Sequence, residues 1–200
     1  MVRAQLRSGI VHIGEALRDP ESFAVRYNDG EARYEWWVWA SLVMTAIVGT
    51  TTYGMTMGIL GGAADVFYKG MACTFAAGLA WAIPLPALYI LNSLSGSRLS
   101  AGSTLLATLV TVSWGGLAML ASLPINWFLT ASVPHQGFVL LLNLIVFAGV
   151  GVAMIDVFQR VMRAIEPERE VTPSSWLLLV GTIGAELFYF TGLFDFTGSL

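Results

Sequence analysis

Charged residues are scarce in this chain of 200 residues. Only 12% are Asp, Glu, Lys or Arg, whereas an ordinary soluble domain carries roughly 25%. Hydrophobic residues make up 56%, and the mean hydropathy is +0.71. The 10 basic and 13 acidic side chains are too few for the charged shell of a soluble globule of this size. The composition therefore excludes most soluble enzymes and disordered chains, and it predicts an integral membrane protein.

Residues that carry chemistry are also rare. The net charge of −3 leaves no basic excess for a nucleic-acid partner. The single cysteine, Cys73, cannot form an internal disulfide and is expected to be a small apolar residue in a helix. His12 and His135 have no neighbours at metal-ligand spacing, and no hydrolase, metalloprotease or nucleotide-binding motif is present. We therefore expect no enzymatic activity, no metal and no cofactor.

Long runs without charged residues predict where the chain crosses the membrane. A spanning helix needs about 20 mostly apolar residues, and the runs are long enough for five such helices. The predicted spans are 37–59, 71–93, 103–123, 138–159 and 175–195. The expected fold is therefore an all-α, polytopic transmembrane bundle. Residues 1–35 form a cytoplasmic amphipathic segment in this prediction, and residues 36–200 form the transmembrane domain.

The turn between the third and fourth spans is predicted between Pro124 and Gly137, where prolines and glycine end helices. An alternative joins 123–129 to the third span as an interfacial segment. In either case Trp127 and Phe128 would lie at the level of the lipid headgroups.

Basic residues are distributed unequally between the two sides of a five-span bundle. With the N-terminus in the cytoplasm, nine arginines lie in cytoplasmic segments, and Lys69 is the single basic residue outside. This positive-inside asymmetry predicts a cytoplasmic N-terminus and an outside C-terminus. Acidic residues offset the arginines in the same segments, so a polybasic patch that recruits lipids is not expected.

The N-terminal segment has an amphipathic pattern. Its apolar residues recur at helical spacing, which predicts a helix on the inner leaflet or, alternatively, a helix that docks a partner. A second short helix is expected to begin with Asp19 as N-cap and Pro20 at the first position, with Phe23 as its anchor. Because His12 and Glu15 interrupt the apolar stretch, we expect no cleaved signal peptide. The apolar face comprises Val2, Leu6, Ile10, Ile13 and Leu17.

Small residues recur at every fourth position in and around the first two spans. Without a hydrophobic driving force in lipid, helices associate where small side chains let their backbones approach. These stripes therefore predict that the two spans pack against each other, and the alternative is an oligomer interface. The residues are Thr50, Gly54, Gly58 and Gly62 in one stripe, and Gly70, Thr74 and Gly78 in the other.

Two further features are candidates for an intramembrane polar site. Pro84 and Pro86 interrupt the second span, and each frees a carbonyl that protein or water must satisfy. The result is either a simple kink or a discontinuous helix that lines a substrate site. Glu186 is the one acid near a span centre, which makes it a candidate structural group, ion relay or partner contact. The hydrogen-bond partners expected for it are Thr108, Thr111, Ser113, Trp114 and a freed carbonyl of the second span.

The segment 16–23, Ala-Leu-Arg-Asp-Pro-Glu-Ser-Phe, precedes the first span, and a glycine-containing turn at 95–100 leads into the third. With the five spans, these features resemble the Ypt-interacting-protein (YIP) family, including its bacterial members. The likeness covers roughly residues 16–195. It implies a cytosolic N-terminus and a non-enzymatic role. Eukaryotic members bind small GTPases and shape or sort membranes, but this chain lacks their long N-terminal region.

These patterns together predict a non-enzymatic scaffold, adaptor or accessory subunit in the bacterial inner membrane. Its expected partners are the lipid bilayer and other membrane proteins or further copies of itself. The alternative is a small transporter or channel-like protein that uses the broken second span and Glu186.

Overall fold

Helices form nearly all of the computed structural model, which describes residues 2–94, 96–168 and 175–194. Among these residues 85% are helical and none is in a strand. The helices are α1 (Val2–Arg18), α2 (Pro20–Asn28), α3 (Trp36–Met57), α4 (Ala63–Ala82), α5 (Leu85–Leu94), α6 (Ala101–Ser132), α7 (Gln136–Ile165) and α8 (Ser175–Phe190). A single 3-10 turn, Ile59–Gly61, separates α3 from α4.

Four candidate membrane spans are present in the described residues. They are α3, the combined α4 and α5, α6 and α7, with 22, 32, 32 and 30 residues. Because a helix rises 1.5 Å per residue, the last three exceed the roughly 30 Å hydrocarbon core of a bilayer. α8 is apolar but has only 16 residues, or about 24 Å. The chain is thus an all-helical, membrane-embedded protein with four candidate spans and a shorter apolar helix.

The third span is longer than predicted. α6 continues through Pro124 for eight more residues, and only 133–135 separate it from α7. The prediction of a turn from Pro124 onward is therefore wrong, and the alternative that extended this span is closer to the structure. Asn126 and Thr130 lie one turn apart in the added segment, and both are buried. Their hydrogen-bonded contacts hold the helix together beyond the proline, which itself removes one backbone donor.

The second span begins earlier than predicted and is divided in two. α4 starts at Ala63 rather than near residue 71, and α5 follows after a break at Ile83 and Pro84. Asp65 and Lys69 fall in the first two turns of α4, where they form an ion pair at 3.7 Å. This pairing of opposite charges one turn apart lets the helix extend past the limit of the charge-free run.

The bundle is built around α3, which packs against α4 on one side and α6 on the other. α7 packs against α6, and α8 packs against α4. The N-termini of α3 and α6 and the C-termini of α5 and α7 lie at one end, which we term the basic end. The loops 58–62 and 133–135 lie at the other end. α1 and α2 cover the basic end through contacts with α3, α6 and α7.

The start of α2 matches the sequence prediction. Asp19 is the N-cap, its carboxylate accepts a hydrogen bond from the Ser22 backbone N–H at 3.1 Å, and Pro20 is the first helical residue. The hydrogen bonds from the side chain and backbone of Ser22 lower the pKa of the Asp19 carboxyl. The predicted anchor is also confirmed, because Phe23 is fully buried and stacks on Tyr34 at a centroid distance of 4.1 Å.

Polar contacts tie the N-terminal helices to the bundle. Glu21 on α2 forms an ion pair with Arg160 on α7. The Ser103 hydroxyl on α6 donates to Asn28 Oδ1 at 2.9 Å. In α1, Ala16 is fully buried, whereas Ile13 and Leu17 of the predicted apolar face are half-buried. The side chains of Leu6 and Ile10 lie outside the described residues. The structure thus packs α1 on its own chain, and its location on a leaflet stays a prediction.

Candidate functional site

The predicted small-residue stripes of α3 and α4 meet within one chain. A Cβ added at Gly54 would lie 2.5 Å from the Cβ of Cys73, closer than side chains approach. A Cβ at Gly70 would lie 2.8 Å from Met55 Cγ. Only glycine permits this backbone approach, so α3 and α4 pack as the intramolecular alternative describes.

Threonines add hydrogen bonds to the same α3–α4 interface. Thr50 donates to the Thr74 hydroxyl at 3.2 Å, and the Thr51 and Thr74 hydroxyls are 2.6 Å apart. The interface ends toward the loop, where a Cβ at Gly58 would lie 2.5 Å from the Val66 backbone nitrogen. The remaining two stripe residues do not take part. They are Gly62, which lies in the loop with φ +90°, and Gly78, which is exposed with no atom near its Cβ position.

A close approach between α3 and α6 involves glycines that the sequence patterns did not single out. A Cβ at Gly49 on α3 would lie 2.6 Å from the Cα of Gly116 on α6. In return, a Cβ at Gly116 would lie 2.8 Å from the Cα of Ala46. The Ser113 hydroxyl bridges the same helices by donating to the Leu42 carbonyl at 2.8 Å. The adjacent glycines at 115 and 116 are the sequence signal that could have indicated this contact, but they do not belong to a stripe of small residues at every fourth position.

A buried hydrogen-bond network joins α3, α6 and α7 in the half of the bundle away from the basic end. Tyr53 donates to Asn143 Oδ1 at 2.8 Å, and Asn126 Nδ2 donates to the same oxygen at 2.9 Å. Thr130 donates to Asn126 Oδ1 at 3.1 Å. The Asn143 Nδ2 group donates to the Val139 carbonyl at 2.7 Å. The network therefore clamps three helices through side chains that bond to one another.

The break between α4 and α5 is closed by an aromatic side chain of α8. The Trp176 indole N–H donates to the Pro84 carbonyl at 2.8 Å, and the Leu88 backbone N–H donates to it at 2.9 Å. Trp176 is fully buried, and its ring packs on Trp81 and Phe158 at centroid distances of 5.4 and 4.9 Å. This carbonyl thus keeps its helical donor and gains a second one from α8, but it is not one of the carbonyls of Ala80 and Ala82 that lie four residues before the prolines. Pro86, by contrast, is exposed.

Three contacts define the register of α8 against the antiparallel α4. The pairs are Tyr68 with Thr191, Ala80 with Gly184, and Pro84 with Trp176. These pairs place Glu186 level with about Phe75 on α4. At a rise of 1.5 Å per residue, Phe75 lies roughly 18 Å from the first residue of α4. Glu186 therefore lies well between the two ends of the α4–α5 span.

Glu186 faces away from the bundle. It belongs to an exposed stripe on α8, the outer α8 face, formed by Leu178, Thr182, Glu186 and Phe190. The partners expected for it are engaged elsewhere, since Thr108 and Thr111 donate to carbonyls of their own helix and Ser113 bonds to Leu42 and Leu109. Within the described ranges Glu186 has no hydrogen bond or ion pair. The expected internal hydrogen-bonded carboxyl is therefore not found in the described residues, because α8 turns Val180 and Gly184 inward and Glu186 outward.

The structure does not bring the two halves of the predicted polar site together. The break at Pro84 contacts Trp176, whereas Glu186 lies ten residues further along α8, or about 15 Å. Within the described part of the chain, no group of three or more His, Cys, Asp or Glu side chains could hold a metal ion. No protein-family model, curated protein or solved structure matches this chain. The fold defines a membrane-embedded α-helical protein whose most unusual surface group is an exposed carboxyl.

Proposed function

We propose that this protein is a non-enzymatic accessory subunit that assembles with another membrane protein through the outer α8 face. The observation that carries the proposal is Glu186, which is exposed at mid-depth of an apolar surface and has no partner among the described residues. A carboxyl in contact with lipid hydrocarbon is costly, whether charged or neutral, and such groups ordinarily face protein. A partner helix that covers this face removes the cost.

The chemistry of Glu186 defines the kind of partner. A transmembrane helix with a basic or amide side chain at the same depth would pair with the carboxyl. A second copy of this chain fits less well, because a symmetric contact on this face would bring two carboxyls together. The chain's own Lys69 is not such a partner, because it lies on α4 level with the C-terminal end of α8 and already pairs with Asp65.

The membrane topology is part of the same proposal. We infer five spans with α8 as the fifth, a cytoplasmic N-terminus, an outside C-terminus and a bacterial inner membrane. The unequal distribution of arginines and Lys69 supports this orientation. The resemblance of 16–23 and 95–100 to the YIP family supports a non-enzymatic role in membrane organisation. We propose membership of that family on the same basis.

A transporter or channel is less favoured by the geometry. That function would need the broken span and Glu186 to line one polar pathway. Instead, Trp176 satisfies the Pro84 carbonyl at the break, and Glu186 faces outward about 15 Å further along the helix.

Site-specific photocrosslinking in native membranes tests the proposal. A photoreactive residue at Thr182, on the outer α8 face, should give one adduct of defined mass with another membrane protein. The matched position is Val152 on α7, which is 68% exposed and should give only lipid adducts. Glu186→Leu should reduce the Thr182 adduct at least tenfold, whereas Glu31→Gln, an exposed acid outside the helices, should leave it unchanged. Equal adducts from both positions, or an adduct that survives Glu186→Leu, would refute the assignment.

A further inference from the structure

A cavity of about 420 Å³ lies between α4, α6, α7 and α8 and is open on one side. Protein interiors are close-packed and contain few voids larger than a water molecule. An open cavity of this size along a small bundle is therefore a feature that packing does not require. It lies on the opposite side of α8 from Glu186, so it is separate from the outer α8 face.

The cavity exists because each of its walls is built of small residues. α8 contributes Gly181, Gly184 and Ala185, α7 contributes Ala148 and Gly151, and α6 contributes Gly115 and Gly116. A Cβ added at Gly181 or Gly151 would meet no atom within 4 Å. The space beside these two glycines is therefore open, in contrast to Gly49 and Gly54, which are in close contact with a neighbouring helix.

The cavity opens sideways through a slot between α7 and α8. These helices pack against α6 and α4, respectively, and not closely against each other. The lining on α7 runs from Leu144, which is exposed at the mouth, to Met154, which is buried. These residues are ten positions apart on α7, so the slot is about 15 Å long.

The lining is largely apolar. Its polar side-chain groups are the Thr50 hydroxyl, which is already bonded to the Ala46 carbonyl and to Thr74, the Trp81 indole N–H and the hydroxyl of the exposed Tyr189. Because apolar groups dominate, the cavity favours an apolar ligand over water. A second helix cannot enter, because an α-helix with side chains is about 10–12 Å across and three turns of it exceed the cavity volume.

We propose that the slot holds one acyl chain of a bilayer phospholipid, inserted sideways between α7 and α8. An apolar cavity of roughly 150 Å³ accepts benzene, with its six carbons, so 420 Å³ corresponds to roughly 17 carbon atoms. The slot length of about 15 Å also matches one leaflet, half of a hydrocarbon core of about 30 Å. Volume and length thus agree on a single long acyl chain, and the surrounding bilayer supplies it.

Photolabelling of the full chain in vesicles tests this site. The probe is phosphatidylcholine with a diazirine midway along one acyl chain, diluted into phosphatidylcholine vesicles. Met119 and Met154 line the cavity and are buried, so only a chain inside the slot reaches them. We expect both to be labelled within about threefold of Leu178, which is 74% exposed on the outer α8 face. Labelling confined to exposed positions such as Leu178 would overturn the proposal without any variant.

Filling the slot provides the second test. Gly151→Leu should lower labelling of Met119 and Met154 at least tenfold and leave Leu178 unchanged. Gly149→Leu is the matched control, because Gly149 is two residues away on the exposed face of α7, does not line the cavity and has no atom near its Cβ position. Gly181→Leu repeats the test from the other wall in case Gly151→Leu does not fold. Internal labelling that persists in a folded filling variant would refute the site.

Competition distinguishes the source of the chain. Raising the share of unlabelled phosphatidylcholine should lower internal and Leu178 labelling together, whereas added palmitic acid should leave the ratio of internal to Leu178 labelling unchanged. If palmitic acid alone removes the internal labelling, the occupant is a free fatty acid and the assignment to a phospholipid is wrong.

Discussion

Gly49→Ala is expected to destabilise the bundle, although alanine is the better helix former. The substitution gains about 1 kcal/mol of helix propensity. The added Cβ would lie 2.6 Å from the Cα of Gly116, and the atoms it meets are backbone, so α3 and α6 must move apart. Overpacking costs about 1–3 kcal/mol, and a contact with rigid backbone belongs at the upper end. The net loss is then about 2 kcal/mol, or a Tm lower by about 4–8 °C for a chain of this size.

Thermal unfolding in a mild detergent, followed by circular dichroism, measures this effect. Gly78→Ala is the matched control, since Gly78 is also helical but is exposed and has no atom within 4 Å of its Cβ position. It should be as stable as the parent protein or up to about 1 kcal/mol more stable. If Gly49→Ala unfolds at the same temperature as Gly78→Ala, the inferred contact with Gly116 does not hold the bundle together.

Two further predictions concern the ends of α2 and α8. The hydrogen bonds from Ser22 lower the folded-state pKa of Asp19, so its capping contribution is fully present above the unfolded pKa and is lost as pH falls through the folded value. Thermal unfolding measured between about pH 3 and 7 should show this loss of stability in acid. Asp19→Asn, a cap that does not titrate, should abolish the loss. A variant whose stability falls in acid as much as that of the parent protein would contradict the prediction. Trp176→Phe removes the donor to the Pro84 carbonyl and should cost about 1 kcal/mol. An equal loss of Tm in Trp36→Phe, at an exposed position, would show that this hydrogen bond contributes nothing.

Local signals in the sequence were sufficient for some elements. The N-cap Asp19 with Pro20 predicts the start of α2, because capping depends on residues within one turn. Charge-free runs locate the apolar helices, because the bilayer excludes charged side chains. Such signals fail at Pro124, where they predict a turn. A proline weakens a helix locally, but the hydrogen bond from Asn126 to Asn143 on α7 helps to maintain it, and that contact depends on how α6 and α7 pack.

The candidate site shows the same division. Sequence alone identifies Glu186 as an acid within an apolar helix, but periodicity does not tell which face of a wholly apolar helix turns inward. The structure turns Val180 and Gly184 toward the bundle and therefore Glu186 outward. The cavity between α7 and α8 has no signature in the sequence either, because a void depends on which helices come together around the small residues.

The sequence by itself determined that this is a helical membrane protein, that its second span is interrupted at Pro84, and that glycines on α3 and α4 allow close packing. Composition, proline chemistry and residue size act locally and can be read from the chain. Only the tertiary structure decided that Trp176 closes the break, that Gly49 meets Gly116, and that Glu186 faces outward. Each of these depends on how helices far apart in sequence are rotated against one another, and in lipid that rotation is set by shape and hydrogen bonds.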